Sequence, residues 1–396
     1  MPGPLILISN PKCGDGAGHA FVQKHVIPFL ADHDVSVDRA VVTDAPGHAG
    51  VEVLKFINEH LEHASVSLVV SGGDGTLHEI INEVYAAAHQ FVQRPIELLI
   101  ALIPKPSESS AIEYKLRSLR SLVGEHPTTV PLSIAKTIIQ SADSRETTLS
   151  VFSGIVTSTS LHASILDQSE KLRKEIPDIS RFKVAAQNNI ARWYHSNVLL
   201  RPTKEGLVSI YDNSSGSFVP YSGDNNDPSR PTMYGPFSYF LSTVNVDRLE
   251  PSFVIAPLHS TASPDTDSMD IVIVRPRRDP TVLSDTDDDH ARFAEKTISM
   301  LGAAYRKGSH VKLRYTGDGT VNEESKPIHS FVEYVRCGGW EWAPEEFDDD
   351  AHLLCADGTM FRVRSGVYTI YWTTSYLLLA SATFPTFVKY SMTGIV

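Results

Sequence analysis

Short apolar runs and helically spaced apolar positions alternate along the first third of the chain. Runs with no polar interruption, or little, predict strands at Leu5–Ile8, Val35–Val42, Val66–Val70 and Ile96–Ile103. Apolar residues at a spacing near 3.6 predict helices at Ala20–Leu30, Val51–Leu61 and Leu77–Ala88. Mostly apolar strands separated by helices are typical of a parallel sheet that is covered on both faces.

Each predicted strand is followed by a polar loop, and three of these loops contain glycine. The loops read NPKCGDGAG, TDAPGHA, SGGDGTLHE and PKPSESSA. Ligands of open parallel sheets bind beyond the carboxyl ends of the strands, so we expect the four loops to meet at one crevice. The size and glycine content suit a nucleotide, although no loop is GxxxxGK[ST] or a true GxGxxG.

The tetrapeptide GDGT occurs twice, at Gly73–Thr76 and at Gly317–Thr320. A helical pattern follows the first copy, where the helix N-terminus is a natural seat for an anion. No helical pattern follows the second copy, which we interpret as a coincidence of turn chemistry.

After about residue 128 the chain becomes rich in Val, Ile, Thr and Tyr, with turn residues between short β segments. This pattern is typical of an antiparallel sandwich. A helical stretch, Glu170–Trp193, interrupts it with a break near Pro177, and Ser214–Thr232 is predicted to be a loose surface insertion. The predicted fold is therefore an α/β parallel-sheet nucleotide domain (residues 1–128), then an antiparallel β-sandwich domain (129–370) and a tail of unknown role (371–396), with the site between the domains.

Composition narrows the function classes. A net charge of -12 and the lack of a basic stripe argue against nucleic-acid binding. The acidic runs Asp285–His290 and Glu345–Asp350 are predicted to be solvated loops. Three cysteines without a pairing pattern favour a reduced, cytoplasmic setting. No stretch reaches the roughly 18 apolar residues of a membrane span, and the apolar Ser375–Val388 leaves peripheral membrane contact open.

The first three loops, in this order, resemble the catalytic domain shared by diacylglycerol, sphingosine and ceramide kinases. Three later segments extend the likeness over roughly residues 4–366: LHASILDQSEKLRKEIPDISRF, APLHSTASPDTDSMDIVIVRP and CADGTMF. The GGDGT element is the most specific part. The resemblance implies ATP and Mg2+ as cofactors, and phosphorylation of a hydroxyl on a lipid such as a sphingoid base or diacylglycerol.

The resemblance also assigns roles to single residues. Asp74 would take the proton of the acceptor hydroxyl or order magnesium, and Arg173 and Arg181 would neutralise the transferring phosphate. Residues implied to bind the nucleotide are Asn10, Gly14, Thr43, His48, Gly73, Gly75, Thr76, Glu79 and Asp357. The alternatives are a helix cap for Asp74 and surface ion pairs for the arginines. The metal ligands are left unassigned.

Two departures from the family pattern keep other functions open. Pro106, Ser107, Glu108 and Ser109 stand where the family carries a glycine-rich turn, and Thr359 replaces a glutamate in the late D-G-E turn. Proline removes an amide donor, and Glu108 adds negative charge near the expected phosphate. The alternatives are therefore a kinase of a non-lipid small-molecule alcohol, or a catalytically impaired relative that binds nucleotide or lipid.

Overall fold

The computed structural model describes residues 3–13, 17–87, 91, 96–103, 112–124, 129–140, 147–261, 268–323, 329–363, 368–373 and 377–380. These residues form two compact units. The first contains the described residues up to Ile134, together with Phe152–Gly154 and a strand at Leu377–Ala380. The second contains the described parts of Ala135–Val151 and Ile155–Thr373.

The first unit is built on a six-stranded, largely parallel sheet. Its strands are β1 (Leu5–Ser9), β2 (Arg39–Val42), β3 (Ser65–Ser71), β4 (Glu97–Ile103), β5 (Thr129–Pro131) and β22 (Leu377–Ala380). The order is β2–β1–β3–β4–β22–β5, in which only β5 runs antiparallel to its neighbour. The strand β22 lies in the predicted C-terminal tail, so part of that tail completes the sheet.

Helices cover both faces of this sheet. They are α1 (Ala17–Phe21), α2 (Ile27–Asp32), α3 (His48–Glu59), α4 (Asp74–Ala86), α5 (Ile112–Lys115) and α6 (Arg117–Val123), with a π-helical segment at Val22–Val26. Alternate residues of β1 enter two different cores, because side chains along a strand point to opposite faces. Ile6 and Ile8 pack with α3 and α4, whereas Leu5 and Leu7 pack with the α1–α2 region and α6. The predicted parallel sheet with two covered faces is confirmed.

The second unit contains two antiparallel sheets and a small hairpin. Its strands are β6 (Ile134–Gln140), β7 (Thr147–Ser153), β8 (Val156–Thr159), β9 (Ser196–Arg201), β10 (Ser209–Asp212), β11 (Ser217–Pro220), β12 (Thr232–Tyr234), β13 (Tyr239–Thr243), β14 (Met269–Val274), β15 (Arg314–Tyr315), β16 (Val321–Asn322), β17 (Glu333–Cys337), β18 (Gly339–Pro344), β19 (Leu353–Ala356), β20 (Thr359–Arg362) and β21 (Tyr368–Thr373). The sheet orders are β11–β10–β17–β14–β13–β8–β19–β20 and β12–β9–β18–β21–β6–β7, and the hairpin is β15–β16.

One hydrophobic core joins these two sheets. Trp340 and Trp342 of β18 pack in the same cluster as Phe240, Ile271 and Val335 of the other sheet. Two sheets that share one core form a sandwich, as the sequence predicts. The helices of this unit are α7 (Ser160–Leu172), α8 (Ser180–Asn189) and α9 (Asp287–Tyr305), and short 3-10 helices lie at His259–Thr261, Pro276–Arg278, Ser309–Lys312 and Asp349–His352.

The acidic run at Asp285–His290 is not a solvated loop, and that prediction is wrong. The run opens the long helix α9, with Thr286 as its N-cap, and the Thr286 hydroxyl accepts a hydrogen bond from the Asp289 amide at 3.3 Å. Carboxylates in a first helical turn interact favourably with the helix dipole. Acidic residues therefore mark a helix start here.

Two other predicted loops are also more ordered than expected. The insertion Ser214–Thr232 contains β11, and its Asp224 accepts hydrogen bonds from the Tyr234 amide and from Arg275. In the acidic run Glu345–Asp350, Asp348 caps a 3-10 helix and accepts hydrogen bonds from His195. In the first place a polar run supplies an ion-pair partner to the buried Arg275, and in the second it supplies the cap of a short helix.

Within the described part of the chain, no helix combines the length and apolarity needed to cross a bilayer.

Candidate functional site

The carboxyl ends of β1, β2 and β3 bring the first three predicted loops side by side. The Asn10 amide, just after β1, donates to the Ser71 carbonyl at 2.8 Å, and the Thr43 amide, just after β2, donates to the Ser9 carbonyl at 2.9 Å. The Asn10 side chain donates from Nδ2 to Thr76 Oγ1 at 2.9 Å. Asn10 thus joins the first loop to the GDGT segment. The fourth predicted loop, with Pro106–Ser109, lies outside the described residues, as does Gly14.

The turn between β3 and α4 leaves a helix N-terminus without a side-chain cap. Gly73 is the N-cap residue, with φ −97° and ψ −173°, and Asp74 is the first residue of the helix. A glycine cap has no oxygen with which to accept hydrogen bonds from the first amides of the helix. Those amides and the positive end of the helix dipole favour an anion at this position.

The glycines of this turn differ in how closely other atoms approach them. A Cβ atom added to Gly72 would lie 2.7 Å from Thr76 Oγ1, and one added to Gly73 would lie 3.0 Å from Cys13 Sγ. Gly72 and Gly73 therefore allow neighbouring side chains to approach the turn closely. A Cβ atom on Gly75 would meet nothing within 4 Å, so Gly75 faces open space.

Lys12 is a residue of this region that the sequence analysis missed. Its amide donates to Asn10 Oδ1 at 3.0 Å, and its Nζ donates to the Asp44 carbonyl at 2.9 Å. The side chain thus reaches from the first loop to the second. The signal in the sequence was a lysine inside a glycine-containing loop after a strand, since an ammonium group is a common phosphate partner.

Three more residues predicted to bind the nucleotide, Thr43, His48 and Glu79, lie in the first unit. Thr43 is buried, and His48 begins α3 with its Nδ1 2.7 Å from Asp44 Oδ1. Glu79 follows Asp74 by five residues, which places it about 140° around the helix from Asp74. The Glu79 carbonyl faces α3, because a Cβ on Gly50 would lie 2.7 Å from it.

Arg173 and Arg181 lie in the second unit. Arg173 follows α7, is largely exposed and pairs with Glu170. Arg181 is buried, and its Nη1 donates to the Pro177 carbonyl at 3.1 Å and to the Asp178 carbonyl at 2.8 Å. Its guanidinium also lies over the Phe182 ring, 4.6 Å from the ring centre. The surroundings hold Arg181 in one position and leave Arg173 at the surface.

Asp357 supports the backbone of the second unit. Its Oδ1 accepts hydrogen bonds from the amides of Ile155 at 2.9 Å and Val156 at 2.8 Å. The residue has φ +48° and is followed by Gly358 with φ +88°, in the turn between β19 and β20. Its carboxylate thereby ties this hairpin to β8.

The described residues contain no group of three or more His, Cys, Asp or Glu side chains that could hold a metal ion. Mg2+ differs from zinc or calcium in this respect, because it is commonly held by one or two carboxylates together with substrate phosphates and water. In the β3–α4 turn, Asp74 is the residue that carries a carboxylate.

Comparison with known proteins finds a family match within the first unit. Residues 4–107 match the model of the diacylglycerol kinase catalytic domain. A Bacillus subtilis (strain 168) protein named Putative lipid kinase YtlR is 36% identical over 78 residues, which are 19% of this chain and 23% of that protein's length. The crystal structure of yeast NADH kinase complexed with NADH superposes with a TM-score of 0.41 at 9% identity, covering 97% of this chain and 84% of that one. The match confirms, over residues 4–107, the resemblance to the diacylglycerol kinase catalytic domain that the first three loops carry.

Proposed function

We propose that the protein is an ATP-dependent kinase that phosphorylates a hydroxyl group of a lipid, such as diacylglycerol or a sphingoid base. The observation that carries the proposal is the β3–α4 turn, where an uncapped helix N-terminus begins with Asp74 between Gly73 and Gly75. The family of residues 4–107 and the name of the YtlR relative support a lipid as the acceptor.

The first loop and the GDGT turn fit the phosphate groups of a nucleotide. The uncapped amides of α4 offer donors to phosphate oxygens, and the space beside Gly75 admits a ligand to the backbone. Asn10 holds Thr76 in place, and Lys12 adds a positive charge to the same edge of the sheet. Together these groups offset the negative charge that Asp74 brings to the turn.

In this proposal the Asp74 carboxylate accepts the proton of the acceptor hydroxyl. The hydroxyl oxygen forms a bond to the terminal phosphorus of ATP while the bond to the leaving ADP oxygen breaks, and the proton stays on Asp74 until solvent removes it. Mg2+ would be held by the nucleotide phosphates and water, and would supply neutralisation of the charge on the transferring group. The roles of Arg173, Arg181 and Asp357 in phosphate or metal binding stay predictions.

A transfer assay tests the proposal. The purified full chain is incubated with terminally labelled ATP and Mg2+, and with diacylglycerol, sphingosine or ceramide in detergent micelles. Glycerol and empty micelles serve as controls for a water-soluble acceptor and for ATP hydrolysis. We expect the label in one lipid product, and loss of transfer when a chelator removes Mg2+.

The same assay distinguishes the alternatives. Label that enters a metabolite extract but no lipid would indicate a kinase of a small-molecule alcohol. A chain that does not bind ATP at millimolar concentration, measured by calorimetry, would contradict any kinase function.

A further inference from the structure

A cavity with several charged side chains on its wall lies in the second unit, at the end of β14. It has a volume of about 450 Å3 and is lined by Arg275, Arg277, Arg278 and His329, with Asp224 and Tyr234 also on its wall. The three arginines come from the short sequence RPRR, and residues Pro276–Arg278 form a 3-10 turn. The turn places three guanidinium groups around one space in a chain of net charge -12.

One of the three arginines has a structural role. The Arg275 side chain is buried and donates from Nε and Nη2 to the Glu333 carboxylate at 2.7 and 2.6 Å. It also donates from Nη2 to Asp224 Oδ1 at 3.1 Å. Burial alone would lower the pKa of Arg275, but the carboxylates of Glu333 and Asp224 outweigh that effect and raise it. Arg275 therefore ties β14, β17 and the 214–232 segment together.

The other two arginines have N–H donors that no described residue accepts from. Arg277 is exposed, and it makes no hydrogen bond or ion pair with any residue that the structure describes. Arg278 has Nη1 3.6 Å from Glu333 Oε1, while its Nε is buried without a hydrogen-bond partner. A buried donor without an acceptor is costly, which favours an acceptor supplied from outside the chain.

The charges around the cavity also favour an anion. The carboxylates of Asp224 and Glu333 pair with Arg275, and Glu333 also lies near Arg278. The three arginines therefore exceed these two carboxylates by one positive charge. His329 Nε2 donates to the Arg278 carbonyl and so fixes the backbone of the arginine turn. No acidic side chain lies close enough to Arg277 for an ion pair in the described part of the chain.

We propose that this cavity binds the phosphate group of a small phosphate ester or diphosphate, with Arg277 and Arg278 as its ligands. The planar guanidinium matches phosphate oxygens through paired hydrogen bonds, and a phosphate has enough oxygens for both side chains. The volume exceeds what one phosphate ion needs and falls in the range of small-ligand pockets. All of the residues that line the cavity belong to the second unit, and the proposal does not depend on the kinase proposal.

Calorimetry with pyrophosphate tests the site in the full chain. Pyrophosphate binding to the first unit would not depend on Arg277, so the difference between the wild type and Arg277→Ala reports on this cavity. We expect Arg277→Ala to weaken pyrophosphate binding about tenfold, the loss typical of one charge-assisted hydrogen bond. Arg278→Lys should weaken it as well, because lysine keeps the charge but lacks the Nε donor and the planar fork.

Arg306→Ala is the matched control. Arg306 is an exposed arginine of the same unit that does not line the cavity, so its loss should leave the affinity unchanged. The proposal is overturned if the wild type does not bind pyrophosphate, if Arg277→Ala binds as well as the wild type, or if Arg306→Ala loses as much affinity.

Sedimentation with vesicles identifies the source of the phosphate group. Vesicles of phosphatidylcholine with phosphatidic acid are compared with phosphatidylcholine alone. Sedimentation that depends on phosphatidic acid and on Arg277 supports the site and assigns it a lipid headgroup. Pyrophosphate binding that depends on Arg277, without sedimentation, supports the site and assigns it a soluble phosphate compound.

Discussion

The two GDGT segments have the same four residues and fold in different ways. Gly73–Thr76 ends a strand and starts the 13-residue helix α4. Gly317–Thr320 lies in the turn of the β15–β16 hairpin, where the Gly319 amide donates to the Thr316 carbonyl at 3.0 Å. The residues that follow account for the difference. Leu77, Ile80 and Ile81 repeat at helical spacing and enter the core, whereas Val321 and Asn322 return as a strand.

The aspartates of the two segments differ in what surrounds them. Asp318 accepts hydrogen bonds at Oδ1 from the Thr320 amide at 3.1 Å and the Thr320 hydroxyl at 2.9 Å, and also from the Thr316 hydroxyl. Its carboxylate serves its own turn. Asp74 instead begins a helix whose N-cap has no side chain, beside a glycine that faces open space. The same tetrapeptide therefore makes a turn in one place and a candidate site in the other.

The largest expected effect comes from neutralising Asp74, with the same change at Asp318 as the comparison. Asp74→Asn should lower phosphoryl transfer by about a hundredfold or more, the usual contribution of a general base. Its free energy of unfolding should fall by less than about 1 kcal/mol, the typical value of one charge at a helix N-terminus. Transfer is measured with the labelled-ATP assay and stability by urea unfolding.

Asp318→Asn is the control for this change, since it makes the same substitution in the same tetrapeptide. It should keep wild-type transfer. Equal activities of the two variants would contradict the role of Asp74 and place the acceptor proton elsewhere.

Replacing the glycines should give smaller effects, on stability in one segment and on transfer in the other. Gly319 has φ +79°, and a Cβ there would lie 2.4 Å from Thr281 Cγ2, so Gly319→Ala should destabilise the fold by about 1–3 kcal/mol and leave transfer unchanged. Gly75 lies in a helix with open space beside it, so Gly75→Ala should not destabilise the fold.

Transfer by Gly75→Ala should nevertheless fall, by about tenfold, because a methyl group would occupy the space that the phosphates approach. Urea unfolding and the transfer assay separate the two effects. Full activity in Gly75→Ala would show that the phosphates do not come close to this glycine.

The order of strands and helices in the first unit could largely be predicted from the sequence. The residue at which a helix begins could not. The pattern predicts the third helix of this unit at Leu77–Ala88, but α4 begins at Asp74, because glycine and aspartate are read as turn residues until a cap is known. Pairing between strands that lie far apart in the sequence could not be predicted either. Nothing in the local pattern indicates that Leu377–Ala380 inserts between β4 and β5.

The candidate site was predictable where the loops follow strands in order. Asn10, Thr43 and Thr76 come together because parallel strands end at one edge of the sheet. The arginine cavity could not be read from the sequence in the same way. Asp224 lies in a segment predicted to be a loose insertion, and its partner Arg275 is 51 residues away. Such a contact depends on how β12 and β14 are placed in the fold.

The smallest expected effect concerns the pKa of Asp318. Hydrogen bonds from the Thr316 hydroxyl, and then from Thr320, lower the pKa of this exposed carboxyl from 3.8 to about 2. The stabilisation that Asp318 gives to its turn is therefore fully present above pH 4 or so, and is lost as the pH falls through the folded-state pKa. Carboxyl-carbon NMR of the labelled chain can follow the titration, with Asp318→Asn used to assign the signal. Thr316→Val removes the largest cause and should raise the pKa of Asp318 toward its ordinary value. If Asp318 titrates near 4 in the wild type, its carboxylate is not held by hydrogen bonds within the turn. The two aspartates would then differ only in that Asp74 begins a helix and Asp318 does not.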